Sequence, residues 1–228
     1  MAREIESRLW LRGELVAKSP IHVGGLGDDV DTDLPLAVNG AGDFYVPGTS
    51  LAGSIRQYVE ERFGDDLAHC LWGYQTKEDG KASHVVVEDG VLLNPDEVPP
   101  EIRDGVGIDR QWGAAAEHIK YDRAVLPKGT RIDFAMYVEV PDGDQRSEAL
   151  AMLAEIRRAL QEGLIRLGAG KTRGLGYVEL VDSQITEQSY KHRNDLWDSL
   201  ISRFGSVVPE EEIQKAHNSN SGERPAAS

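Results

Sequence analysis

The sequence predicts an α+β fold, a βαββαβ core carrying two long insertions. Three observations predict it. Residues 7–17 and 131–140 alternate apolar and polar side chains with period two. Residues from about 50 to 63 and from about 146 to 164 repeat apolar side chains at helical spacing. Residues 19–47 and 94–129 follow neither period and are rich in Gly, Asp and Pro.

Each element has a local cause. Leu9, Leu11 and Leu15 alternate with Trp10, Arg12 and Glu14, which makes a strand with one partly wet face. Leu51, Ile55, Tyr58, Val59 and Phe63 share one helical face, with Thr49 or Ser50 as N-cap and Gly64 as the stop. His84–Val87 and Val91–Leu93 read as a short hairpin around Asp89-Gly90. Residues 94–129 hold a protruding ribbon, although Arg123 interrupts the face that Ile119, Tyr121 and Val125 would share. Ile132, Phe134, Met136, Val138 and Val140 form a clear strand. Leu150, Leu153, Ile156, Leu160 and Leu164 mark the second helix. A glycine-rich loop, Gly168 to Gly176, leads to a last strand through Tyr177, Val178, Leu180 and Val181. That order is the ferredoxin-like split βαβ plan. Asn194 would cap one more helix through Leu196, Trp197, Leu200, Ile201 and Phe204. One domain is expected over 1–205, and an acidic, disordered tail over 206–228.

Composition narrows the function. The chain has 228 residues and a net charge of −14, so bulk positive charge is not what would hold it to nucleic acid. Any such binding needs local basic patches and backbone amides. Cys70 is the single cysteine, which excludes an intrachain disulfide and a multi-cysteine zinc site. No signal region or membrane-length apolar stretch occurs. A cytoplasmic protein is expected.

Three motifs carry chemistry, each with a plain structural alternative. Gly170-Lys171-Thr172 fails as a P-loop because position 165 is Ile165 and the loop follows a helix. Its glycines, with Lys171 and Arg173, suit either a phosphate cradle or a tight helix-to-strand turn. Asp28, Asp29, Asp31 and Asp33 crowd one loop; they suit Mg²⁺ held partly through water, or a solvated acidic loop. Pro47-Gly48-Thr49-Ser50 opens a helix and suits phosphate or ordinary capping, with Arg56 a candidate contact further on. The six histidines show no metal spacing, and no covalent-catalysis motif is present.

Taken together, these segments resemble the RAMP-superfamily backbone subunits of type III CRISPR RNA-guided effector complexes. Four carry the resemblance, over about residues 7–183. They are Ser19-Pro20-Ile21-His22-Val23-Gly24-Gly25; Asp33-Leu34-Pro35 with Tyr45 to Arg56; Gly107-Ile108-Asp109-Arg110 with Gly113-Ala114-Ala115 and Gly129 to Phe134; and Leu167 to Gly176. The resemblance implies an RRM-like domain that polymerises along a crRNA with further copies of itself and other effector subunits. It implies that Gly24, Gly25, Ser50, Arg56, Arg110, Trp112, Lys120, Arg123, Lys171, Thr172 and Arg173 bind RNA. Residues 106–126 would be a thumb-like hairpin pushed between guide and target bases, with Trp112, Ile108 and Ile119 as wedge or packing residues. Asp33 would be catalytic for cleavage of target RNA, with Asp31 the second choice. Asp33 would also hold Mg²⁺ or another divalent cation. Three other readings stay open: a structural backbone subunit without nuclease activity, a guide-processing endoribonuclease, and an unrelated binding module.

Overall fold

The computed structural model describes residues 5–25, 32–108, 111–112, 115–141 and 143–190, without the side chains of 65–67, 115–119 and 143–144. The two alternating segments become the centre of one sheet. Strand β1 (Ser7–Ala17) pairs antiparallel with β9 (Arg131–Val140), in register from Ser7 opposite Val140 to Val16 opposite Arg131. On the far side of β9 lies β5 (Val85–Val87), and on the far side of β1 lies β10 (Val178–Ser189). The order is β10-β1-β9-β5. Strand β10 runs antiparallel to β1: Lys18 N–H donates to Tyr177 O at one end, and Ser7 Oγ to Glu187 Oε1 at the other.

One face of this sheet is the core. Leu9, Leu11, Leu15, Ile132, Phe134, Met136 and Val138 are all buried there. Helix α1 (Gly48–Phe63) adds Leu51, Ile55 and Val59. Helix α3 (Gly143–Gln161) adds Ala149, Met152, Leu153, Ile156, Ala159 and Leu160. Burying each of the larger of these side chains (Leu, Ile, Val, Met and Phe) is worth about 1.5–3 kcal/mol, the main force holding helices to sheet. The other face carries a different device. The Trp10 and Tyr137 rings lie 4.5 Å apart, with Arg12 stacked on Trp10 and Arg8 on Tyr137.

The sequence expectations fail at several points, each for a local reason. The 84–93 hairpin does not form. Strand β5 pairs with β9, while β6 (Gly90–Val91) pairs with β2 (Tyr45–Val46). The turn at Asp89 changes partner because its carboxylate accepts the Gly48 amide of α1 at 2.6 Å. Helix α1 begins on Pro47 with no side-chain cap, so Thr49 and Ser50 lie inside the first turn. An unpredicted helix α2 (Asp65–Trp72) follows directly, and β3 (Tyr74–Gln75) and β4 (Gly80–Lys81) form a small hairpin after it. Helix α3 stops before Gly163, whose φ of 68° is left-handed, and this leaves Leu164 outside the core. Leu150 also faces outward. The described parts of segment 19–47 form bridges, Ile21 to Leu126, Gly24 to Leu36 and Val38 to Phe44.

The 94–129 segment holds a two-stranded ribbon, β7 (Glu101–Ile108) against β8 (Ala115–Val125). Its base pairs Arg103 with Arg123, Asp104 with Asp122 and Gly105 with Tyr121; a bulge between Val106 and Ile108 shifts the register beyond that. The chain divides into two compact units, Met1–Gln188 and Ser189–Ser228. The last helix, the expected boundary near 205 and the 206–228 tail lie outside the described residues.

Candidate nucleic-acid interface

Three loops meet at the base of the ribbon. The first is the turn at 19–25. Its backbone is taken up on both sides: Ala169 N–H donates to His22 O, Gly176 N–H to Pro20 O, and Ala37 N–H to Val23 O. The His22 ring is buried, with Nδ1 2.7 Å from Ala124 O on β8. Burial pushes the His22 pKa down, against a smaller upward push from that bond. The neutral ring is therefore favoured, with Nδ1–H as donor. The two turn glycines have different jobs. A Cβ on Gly25 would collide with Leu36 O, whereas Gly24 is exposed and open.

The second loop is the glycine-rich one. Gly170 and Gly174, at φ 77° and 84°, bracket a single 3-10 turn, Lys171–Arg173. Gly168 is left-handed as well, and a Cβ there would strike the His22 carbonyl oxygen. The turn sends its two cations to different places. Lys171 lines a groove of about 270 Å³ with Thr49, Ser50, Gly53, Ser54 and Gln57 of α1 and Gly168. Arg173 enters a second pocket of about 210 Å³ at the ribbon base, with Arg103, Asp104, Tyr121, Arg123 and Leu175. There Arg173 Nη1 donates to Tyr121 Oη at 2.7 Å, and the Arg123 guanidinium lies 5.8 Å from the Tyr121 ring centre. Among the described residues, no carboxylate pairs with Lys171, Arg123 or Arg173. In a chain of net charge −14, these cations outnumber Asp104, the carboxylate that lines the pocket, and favour an anionic ligand.

The third loop carries Asp33. Its amide donates to Asp122 Oδ1 at 2.7 Å, and the Asp122 amide donates back to Asp33 Oδ2 at 3.1 Å. Leu34 forms a parallel bridge with Arg123, and Ala124 N–H donates to Leu34 O. The Asp33 amide, then the Thr32 hydroxyl, hold the Asp122 carboxyl below the usual carboxylate range. Among the described residues, no three His, Cys, Asp or Glu side chains gather as a metal site. The exposed Asp33 carboxylate offers a hard oxygen donor, which fits a cation that keeps most of its water.

The structure thus joins Ser50 to Lys171, Arg123 to Arg173, and Gly24 and Gly25 to the same junction. Other predicted residues stand apart. Arg56 is paired with Glu60 along α1 at 2.7 Å. Lys120 is exposed and pairs with Asp104 across the ribbon at 3.4 Å. Thr172 is exposed on the 3-10 turn. Trp112, beyond β7, is 78% exposed, and Ile102, Val106 and Ile108 are exposed along β7. Asp31 and Arg110, with Asp28 and Asp29, lie outside the described residues, and so does the Ile119 side chain. Sequence reasoning missed the roles of Tyr121, Asp122 and Asp89. Tyr121 and Asp122 sit beside Arg123, where the alternation of β8 already broke down; that break was the one available signal.

The fold and these loops define an α+β domain built on an antiparallel sheet, with a polar, partly basic surface beside a protruding ribbon. The family model of the RAMP superfamily matches residues 14–179, and the chain belongs to that superfamily. Among solved structures it is similar to a chain of the Type III-B Cmr-beta complex bound to cognate target RNA, determined by cryo-EM. The TM-score is 0.58 at 17% identity, over 78% of this chain and 61% of that one. This chain therefore spans less than two thirds of that chain's length. No curated protein matches it in sequence.

Proposed function

We propose that this chain is a crRNA-binding backbone subunit of a type III CRISPR effector complex. In this reading its core is the ferredoxin-like, RRM-like βαββαβ unit with insertions at 19–47 and 94–129. It polymerises along the guide with further copies of itself, joins other effector subunits, and works in the cytoplasm. The observation that carries the reading is the pair of sites joined by the glycine-rich turn, one beside α1 and one under the ribbon. Hydroxyls and an ammonium line the first; three guanidiniums, a phenol and the Asp104 carboxylate line the second. These groups suit the phosphates and 2′-hydroxyls of a single strand. The sheet's aromatic face is not used for stacking, because Trp10 is 2% exposed beneath Arg12. The exposed apolar ribbon, with Trp112 beyond β7, suits a wedge between bases.

Cleavage of target RNA is the second half of the proposal. Asp33 is exposed, and its carboxylate is oriented by the Asp122 amide. A divalent cation held by Asp33 would stabilise charge on the scissile phosphate. The target's own 2′-hydroxyl attacks that phosphorus and loses its proton, to Asp33 or to water. The bond to the 5′-oxygen breaks, that oxygen takes up a proton, and a 2′,3′-cyclic phosphate remains. Asp33→Ala in the assembled complex is expected to abolish target cleavage while guide RNA still co-purifies, and EDTA is expected to do the same. A variant that cleaves normally would leave a structural backbone subunit. That second reading is favoured by one observation, the engagement of Asp33 in a clamp that orders its loop.

A further inference from the structure

The ribbon and the loop of the candidate catalytic aspartate are one mechanical piece. Asp33 and Asp122 lie 89 residues apart, yet they exchange hydrogen bonds in both directions. The next residues continue the contact, through the Leu34–Arg123 bridge and the Ala124 amide on Leu34 O. The Asp122 carboxylate holds the backbone of Asp33, and the Asp122 amide holds its side chain. Strand β8 brings Tyr121 and Arg123 to the pocket of Arg173 with the residues that alternate with Asp122. We infer that Asp122 is a positioning residue for Asp33, and that it ties the cleavage loop to the ribbon that meets the guide–target duplex. This rests on the cleavage reading above.

The geometry separates the two bonds. Substitution at position 122 removes the carboxylate that accepts the Asp33 amide, but it leaves the main-chain amide that faces the Asp33 side chain. Asparagine keeps an acceptor oxygen at that place; alanine does not. Single-turnover cleavage of a complementary RNA by the assembled complex decides the matter, with target affinity measured separately. Asp122→Ala is expected to slow cleavage at least tenfold with target affinity within twofold of the parent. Asp122→Asn is expected to restore the rate to within about threefold. Cleavage by Asp122→Ala at the parental rate would overturn the inference. An equal loss in both variants would also overturn it, since charge rather than an acceptor would then matter. Where Asp122→Ala does not assemble on guide RNA, Asp122→Ser takes its place, because its hydroxyl is too short to span the bond. Asp33→Ala is run alongside. If it still cleaves, the cleavage reading itself has failed; if it is inactive while Asp122→Ala is unimpaired, only the positioning role has failed.

Discussion

His22 shows how single residues are set by their neighbours. Its ring is buried against Ala124 O of β8, and burial pushes its pKa below that of a free histidine. The folded state therefore binds fewer protons than the unfolded state near pH 6. Its contribution to stability is complete above the unfolded pKa and is lost as pH falls through the folded one. Denaturant midpoints measured from pH 7.5 to 5 are expected to fall, and His22→Gln is expected to flatten that slope. The sequence displayed this histidine in its motif, yet gave no sign of burial, because Ala124 is 102 residues away. Glycine roles were equally hidden. Gly168→Ala forces a left-handed φ and a clash with His22 O, and should cost about 1–3 kcal/mol in thermal or chemical unfolding.

Among elements, legibility followed length and one-sided burial. Strands β1 and β9 and helices α1 and α3 each repeat one period for ten residues or more. Their buried faces impose that period, so the sequence displays it. The two- and three-residue strands β2, β5 and β6 carry no period, and their partners are set by the rest of the fold. Strand β7 buries no residue, and Asp104 interrupts the spacing of Ile102, Val106 and Ile108, so no core-facing period marks it. The glycine-rich turn was visible as composition; its division of Lys171 and Arg173 between two sites was not, because each site is completed by a distant element. Lys171→Ala and Arg173→Ala should each weaken guide binding. Each should also lower the slope of log affinity against log salt by about 0.7, the value for one phosphate contact to a single strand. Filter binding across a salt series reads both effects.

For the whole molecule, a charge of −14 fits the proposed RNA subunit only because the cations are placed, not numerous. Exposed charges more than about 8–10 Å apart are largely screened at physiological salt. The groove and pocket therefore act on local charge. The ribbon stands outside the core, as the exposure of Ile102, Val106 and Ile108 shows. Replacing residues 107–119 by a short turn is thus expected to leave the melting temperature within a few degrees of the parent, read by circular dichroism. The bulge between Val106 and Ile108 carries a consequence for how such a protein can diversify. Below it, every pair is locked, since inserting one residue would exchange Asp122 with its neighbours and turn the clamp to the opposite face. Above it, the pairing has already slipped, so residues can be gained or lost without disturbing the base. Related chains are therefore expected to vary in length and composition at the far end of the ribbon while its root stays fixed in residue count.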